Sequence, residues 1–228
     1  MGAGMIRADG LAGAVAAMPE VDGVGLAMRL ASRMCHDLVS PLGAIGNGLE
    51  LLEMAGGVGG AEAALISDSV AAARARVRLF RLAFGHSGPD QRLPVHELRE
   101  VLADRDSTGR LAVELDGSGD LSRGAAQLIA LSVMCLATGL PWGGRVLICR
   151  AETGMQPGAA SGWRLVAESA RTRPDPALWS WLDGAVPGPL PGPGEVHFAM
   201  LAAAARAQGR RLRWELDDSG AEISIGSA

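Results

Sequence analysis

His36 and Asp37 are adjacent residues whose side chains are well suited to catalysis. An imidazole titrates near neutral pH and serves as a nucleophile or proton acceptor, while a neighbouring carboxylate is available to orient it or to take its proton. Pro41 follows five residues after His36, although a proline inside a helix costs about 3 kcal/mol. A helix that retains such a kink beside a reactive pair is a candidate functional element, with a purely structural kink as the alternative.

The helix that carries His36 is predicted from its apolar period. Its apolar stripe consists of Met34, Leu38, Ile45, Leu49 and Leu52. A rotation of about 100° per residue places His36 nearly opposite this stripe, on an exposed face of small and polar residues. Members of that face are Arg29, Ser32, Arg33, Ser40, Gly43 and Asn47, with Leu51 at its edge. An ordinary solvated surface histidine is the alternative interpretation.

Composition excludes several classes of function. The formal net charge is -4, which gives no positive field for a nucleic-acid backbone. All 21 basic residues are arginine, and Lys and Tyr are absent, so P-loop lysine, Schiff-base lysine and tyrosyl nucleophile chemistry are excluded. The three cysteines form no C-x-x-C pair, which argues against a zinc site, and we expect reduced thiols. The apolar run 128–136 is too short for a membrane span, and we expect a cytoplasmic protein.

The first part of the chain, residues 21–86, is predicted to form a helical hairpin. A glycine-rich stretch, residues 56–60, ends the first helix. The second helix carries a stripe with the 4-3-4-3-4 spacing of a heptad seam, formed by Ile66, Val70, Ala73, Val77, Phe80 and Phe84. A lone hairpin buries two such stripes poorly, so the pattern favours a homodimeric four-helix bundle, with packing on the second domain as the alternative.

The second part, residues 94–228, alternates between short strands and helices. Helices are predicted at 96–104, 125–138, 177–182 and 195–208, and strands at 111–116, 145–150, 163–167, 211–216 and 221–225. Residues 86–94 are predicted as a linker, 187–194 as a loop, and 1–20 as a flexible N-terminal segment. The expected fold class is therefore α+β, with a helical hairpin followed by an α/β sandwich.

The segment RMCHDLVSPLGAIGNGLELLE, residues 33–53, resembles the phosphoacceptor box of histidine kinases. His36, Asp37 and Pro41 match the pattern H-[DE]-x-x-x-P, which precedes an apolar helix in a helical hairpin. The second part of the chain resembles the ATPase-type domain of these kinases, through to the C-terminus.

The ATP-binding motifs of that domain are degraded. Cys135 stands where the resemblance places the magnesium-binding Asn. The strand that ends at Ala167 leads into ESARTRP, which lacks the glycines and the aspartate of the adenine turn. PGPGEVHF replaces the second glycine-rich box. We expect no ATP binding, no bound cofactor and no metal ion on this chain.

An acceptor histidine beside a degenerate kinase domain resembles the ChpT-type histidine phosphotransferases, and the resemblance runs from about residue 21 to the end. It implies a bacterial homodimer in which His36 takes a phosphoryl group from a receiver-domain aspartate and passes it to a second response regulator. The donor is the receiver of a hybrid histidine kinase, and Mg²⁺ is supplied by the receiver. Asp37 orients the imidazole or takes its proton. Arg33, one turn before His36, is a candidate for balancing phosphate charge.

The same resemblance implies that the exposed face of the His36 helix binds the first helix of the receiver domain. Its predicted members are Ser40, Gly43, Ala44, Asn47 and Leu51, in which small residues permit close approach and Leu51 serves as an apolar anchor. Three alternatives stay open: an active kinase with atypical boxes, a scaffold or anti-sigma-type binding module without His36 chemistry, and a receiver phosphatase assisted by Ser40.

Overall fold

The computed structural model describes residues 6–7, 22–55, 60–88, 90–104, 110–151, 162–184 and 188–227. Most of the predicted flexible segment 1–20, most of the glycine stretch 56–60 and the first residue of the predicted loop 187–194 lie outside the described residues. No helix in this described part combines the length and the apolar character that crossing a membrane requires.

The described residues form six α-helices, and the first two of these build the hairpin. They are α1 (Gly23–Ala55), α2 (Ala61–Ala83), α3 (Val95–Ala103), α4 (Arg123–Gly139), α5 (Pro176–Trp179) and α6 (Val196–Ala207). Short 3-10 helices follow α5 at Ser180–Asp183 and precede α6 at Pro193–Glu195. The predicted helical hairpin and the four later helices are confirmed to within a few residues.

Eight strands form two sheets. They are β1 (Ile6–Arg7), β2 (Arg92–Pro94), β3 (Leu111–Leu115), β4 (Asp120–Ser122), β5 (Gly144–Ala151), β6 (Gly162–Glu168), β7 (Arg210–Leu216) and β8 (Gly220–Ser227). The larger sheet has the order β1-β7-β8-β6-β5-β3, and only the β3–β5 pair within it is parallel. β2 and β4 form a separate antiparallel pair. The predicted α+β fold class is confirmed.

Strands β1, β2 and β4 were not expected from the sequence, and β2 lies within the predicted linker 86–94. Each of the three has only two or three residues, which is too short for a period-two pattern of apolar side chains to be visible. Pro94 is tolerated because β2 pairs on one side only, with β4.

The two helices of the hairpin pack closely through small residues. Gly48 is buried on α1, and a Cβ atom at its position would meet Ile66 Cγ1 of α2 at 2.6 Å. Pro41 is buried on the same side of α1. Four members of the predicted α1 stripe are half-buried: Met34, Leu38, Ile45 and Leu52. Leu49 is 50% exposed, so its predicted place in the buried stripe is wrong.

The hydrophobic core continues from α2 into the second part of the chain. Leu79, Leu82 and Ala83 belong to the same buried cluster as the helices and strands of the sandwich. The last carbonyls of α2 are also bound by α4: Arg123 Nη2 donates to Arg81 O at 2.6 Å, and Gln127 Nε2 donates to Ala83 O at 3.1 Å. These bonds satisfy groups that a helix end leaves unpaired. The end of α2 is thus fixed to the sandwich. The predicted domain limits, 21–86 and 94–228, stay predictions.

One carboxylate holds the turn between β7 and β8. Asp217 Oδ1 accepts hydrogen bonds from the backbone N–H groups of Ser219 and Gly220, both at 2.8 Å, and from the Ser219 hydroxyl at 2.9 Å. The Ser219 backbone bond is the largest of the causes that lower the pKa of Asp217. Because the pKa is lower in the folded state, this stabilisation is present above the unfolded-state pKa and is lost as the pH falls through the folded-state value.

Replacing Asp217 with alanine is expected to lower the free energy of unfolding by about 1 kcal/mol at neutral pH, as for the loss of a capping side chain. Urea unfolding at neutral pH and at a pH near 3, below the ordinary aspartate pKa of about 3.9, measures the effect. The difference from the wild type should shrink in acid. Asp218→Ala, at the exposed neighbouring position, is the control, and an Asp217→Ala difference of constant size would contradict the assigned role.

Candidate functional site

His36 projects from the middle of α1 into solvent. Its side chain is 89% exposed, and its Nδ1 atom lies 3.3 Å from Asp37 Oδ1. An ionised carboxylate accepts hydrogen bonds only, so this contact assigns the proton of the neutral imidazole to Nδ1. Nε2 then carries the free lone pair, and the ring presents a nucleophilic nitrogen to solvent.

The second carboxylate oxygen of Asp37 faces an arginine. Asp37 Oδ2 lies 3.4 Å from Arg33 Nε, an i,i+4 ion pair along α1. Asp37 is partly buried, and it stands between the exposed imidazole and the guanidinium. The carboxylate thus has one oxygen for each neighbour, which restricts the orientations that its side chain can take.

Arg33 lies in a different environment from the one predicted. Its side chain is only 17% exposed, and its Nη1 atom donates to Gly194 O and lies 3.1 Å from His197 Nδ1. The predicted placement of Arg33 on the exposed face of α1 is wrong. Desolvation lowers the pKa of the Arg33 guanidinium, and the charge of Asp37 opposes that effect. An arginine guanidinium keeps its proton in proteins, so Arg33 stays charged even with this lowered pKa.

Arg29 makes a parallel contact one turn earlier on α1. Its Nε atom donates to Pro191 O at 2.9 Å. Two arginines of one helix therefore bind two carbonyls of the PGPG segment that precedes α6. This segment aligns with a phosphate-binding box in the kinase resemblance, but its described contacts are with α1.

His197, at the start of α6, completes a chain of polar contacts across the two parts of the protein. It is buried, and its Nε2 atom lies 3.0 Å from Thr138 Oγ1 of α4. Thr138 in turn donates to Met134 O at 3.2 Å. The apolar residues around His197 are typical of a core histidine and give no sign of a connection to His36. The sequence placed Arg29 on the exposed face of α1, but Arg29 is half-buried and contacts Pro191. Sequence reasoning missed Thr138 and Gly194, since nothing in their local pattern relates them to α1.

The predicted partner-binding residues of α1 share an open surface with His36. Ser40, Gly43, Asn47 and Leu51 are exposed, and Ala44 is half-buried. No atom lies within 4 Å of the Cβ position of Gly43, so the backbone is open to close approach there. Their role in binding stays a prediction.

A cleft of about 200 Å³ lies beside Asp37, between α1, α2 and α4. Its polar lining includes two guanidinium groups, those of Arg33 and Arg76. The remaining lining residues are Asp37, Leu79, Phe80, Met134, Ala137 and Thr138. The cleft opens on the side of Asp37 that faces the sandwich.

Aromatic side chains fill the space between α4 and α6. Trp179 is buried; its ring centroid is 5.6 Å from that of Phe198 on α6 and 5.5 Å from that of Trp214 on β7. A Cβ atom at Gly139 of α4 would lie 3.2 Å from the Trp179 ring. Cys135 is fully buried, and burial raises the pKa of its thiol. Within the described ranges, no group of three or more His, Cys, Asp or Glu residues could hold a metal ion.

Comparison with known proteins identifies the family of the chain. A family model described as the histidine phosphotransferase C-terminal domain matches residues 95–220. Residues of this chain are 54% identical over 59 positions to the protein phosphotransferase ChpT of Brucella abortus (strain 2308), which corresponds to 26% of this chain and 28% of that protein. The aligned part thus spans less than a third of that relative.

Solved structures agree on the fold. A bacterial phosphotransferase superposes with a TM-score of 0.73 and 23% sequence identity, and the match covers 91% of this chain and 99% of the other. The mycobacterial sensor histidine kinase MprB matches with a TM-score of 0.42 and 17% identity over 59% of this chain and 94% of the kinase. The family match covers more than half of the 228 residues. The chain belongs to the histidine phosphotransferase family.

Proposed function

We propose that this protein is the histidine phosphotransferase of a bacterial phosphorelay and that His36 is its phosphoacceptor. The observation that carries the proposal is the exposed imidazole whose Nδ1 atom faces Asp37, so that Nε2 is free. The phosphoryl group comes from the aspartyl phosphate of a hybrid kinase receiver and moves on to the aspartate of a second response regulator. The family membership of the chain supports the same reaction class.

In the proposed step, Nε2 of His36 attacks the phosphorus atom of the acyl phosphate. The N–P bond forms as the P–O bond to the receiver aspartate breaks, and the receiver carboxylate leaves with the electron pair. The Nδ1 proton is shared with Asp37 Oδ1, which limits positive charge on the ring. Because phosphoryl transfer passes through a loose transition state, placement of the two groups supplies most of the catalysis. Any Mg²⁺ belongs to the receiver.

We further propose that the open surface of α1 receives the first helix of the receiver. Ser40, Gly43 and Asn47 offer small or polar contacts next to His36, and Leu51 offers an apolar one. Ala44 lies at the border of this surface. A helix packed over Gly43 approaches closely because no side chain intervenes.

The protein is proposed to act without ATP. Trp179 and its aromatic neighbours take up the space between α4 and α6, and the residue at the magnesium-ligand position is a buried cysteine. A ligand that binds only the folded state raises the melting temperature. Because we propose that the protein does not bind ATP, we expect millimolar ATP with Mg²⁺ to leave the melting temperature unchanged. Differential scanning fluorimetry with a catalytically active histidine kinase as positive control measures this. A dose-dependent rise would favour the active-kinase alternative.

A homodimer is proposed from a second apolar stripe on α1. Large apolar side chains are exposed along one line of the helix, next to the side that packs on α2. Consecutive members of this line are three, four, seven or eleven residues apart. They are Val24, Met28, Val39, Leu42 and Leu49. An exposed apolar stripe of this length on a helix indicates an interaction surface. A second copy of the hairpin covers it in a four-helix bundle.

Leu42→Glu is expected to weaken this dimer by at least a hundredfold, because each copy would place an unpaired carboxylate in an apolar interface. Size-exclusion chromatography with light scattering over a concentration series measures the change. Asn47→Glu places the same charge on the His36 side of α1 and should leave the dimer intact. A monomeric wild type at micromolar concentration would refute the proposed assembly.

The reaction is tested by mixing the protein with a receiver domain that carries labelled aspartyl phosphate, with Mg²⁺ and without ATP. We expect label on the protein that is acid-labile and alkali-stable, and then its passage to a second receiver. A complex without label would favour a scaffold. Loss of receiver phosphate with no label on the protein, even at millisecond mixing times, would favour a phosphatase.

A further inference from the structure

A line of contacts runs from the core of the sandwich to the phosphoacceptor. It begins at Met134 O and Thr138 on α4, passes through His197 on α6 and Arg33 on α1, and ends at Asp37. Every distance along it is 3.4 Å or less. Only the last residue, Asp37, is adjacent to the imidazole of His36.

The direction of each hydrogen bond along this line is fixed by its ends. A guanidinium only donates, so His197 Nδ1 accepts from Arg33 Nη1 and carries no proton. The proton of the neutral ring is therefore on Nε2, which donates to Thr138 Oγ1. The Thr138 hydroxyl then gives its own proton to Met134 O. His197 is thus held as one neutral tautomer that presents a lone pair to Arg33.

This lone pair and the Gly194 carbonyl restrain the Nη end of Arg33. With that end restrained, Arg33 Nε lies 3.4 Å from Asp37 Oδ2, an ion pair in which Nε makes no hydrogen bond to any described residue. Asp37 is left with Oδ1 for His36 Nδ1. An ion pair between two neighbouring side chains of an exposed helix would otherwise sample many rotamers and contribute little.

We propose that His197 is a positioning residue for the phosphoacceptor: through Arg33 it holds Asp37 in the orientation that keeps the His36 proton on Nδ1. The inference rests on the proposed function and deepens it, because it assigns a task to the degenerate kinase-like part of the chain. In place of a nucleotide, that part supplies a hydrogen-bond acceptor, His197 Nδ1, which orients Arg33.

The test compares transfer rates from a phosphorylated receiver to His36 in four proteins. His197→Leu removes the lone pair and is expected to lower the rate at saturating receiver by about tenfold or more, with little change in the receiver concentration for half-maximal rate. His197→Asn keeps an oxygen acceptor near the Nδ1 position and should restore the rate to within about threefold of the wild type. Ala205→Gly, at a buried position eight residues further along α6, controls for loss of core packing and should lower the melting temperature without slowing transfer.

A second readout does not depend on transfer. Long-range ¹H–¹⁵N correlation spectra of neutral His36 report which ring nitrogen carries the proton. We expect the Nδ1–H form to be enriched in the wild type and in His197→Asn, and to decrease in His197→Leu and in Arg33→Leu. Unchanged tautomer populations in folded His197→Leu would overturn the proposal, as would a normal transfer rate. A wild type that transfers nothing would defeat the proposed function and leave the tautomer result to judge the positioning role.

Discussion

With His36 replaced by alanine, we expect no acid-labile phosphoprotein and no passage of phosphate from one receiver to another. The variant removes the imidazole beside Asp37, whose Nε2 atom is the proposed nucleophile. The fold should be unaffected, since the His36 side chain is 89% exposed and alanine is favourable in a helix. Rapid-quench gel assays with labelled receiver measure the loss, which should exceed a thousandfold because no other group replaces the nucleophile.

His96→Ala is the matched control, since His96 is exposed on α3. It should accept phosphate at the wild-type rate. Binding of the receiver to His36→Ala, measured by calorimetry, should persist, because the surface around the histidine remains. Labelling of His36→Ala at a rate close to that of the wild type would remove His36 from the reaction.

Trp179→Ala is expected to have the largest effect on stability. Trp179 is almost fully buried between Phe198 and Trp214, and a Trp-to-Ala change in a core costs about 3–5 kcal/mol. For a chain of this size, a loss of that magnitude corresponds to a fall in melting temperature of roughly 10 °C. Thermal unfolding followed by circular dichroism measures it.

Trp142→Ala supplies the matched comparison. Trp142 is about half exposed, and its main contact is the Arg171 guanidinium 3.8 Å above the ring. Loss of such a contact costs about 0.5–1 kcal/mol at an exposed site. Equal effects of the two substitutions would mean that Trp179 does not fill the space between α4 and α6, and that space would then be available to a ligand.

The local sequence pattern was sufficient to predict the helices and the exposed position of His36. The period of apolar residues located α1, α2 and α4, and the neighbouring types of His36 and Asp37 indicated their chemistry. The rotation per residue also placed His36 and Gly43 on the open surface. These features depend on contacts between residues close in the chain, which is why they are visible without the fold.

Arg33 shows where such reasoning stops. Its angle on the helix placed it in solvent, whereas the segment before α6, more than 150 residues later, covers it. A helical projection describes one helix and contains no information about which distant segment packs on it. The same limit applies to the proposed dimer surface. Val39 and Leu42 are exposed and lie outside the stripe that the sequence favoured, and every member of that stripe except Leu49 is half-buried.

The attachment of α2 to α4 bears on the timing of signalling. Two side chains of the sandwich, Arg123 and Gln127, donate hydrogen bonds to the final carbonyls of α2. The buried hydrophobic cluster also extends from α2 into the sandwich. A hinge at this junction would have to break those bonds and expose Leu79 and Leu82 to water. On the proposed function, we therefore expect His36 to be accessible to a receiver without a movement between the hairpin and the sandwich. On the proposed function, the abundance and phosphorylation state of the partner proteins determine when phosphoryl transfer occurs. This protein transfers the group between them without controlling the timing itself.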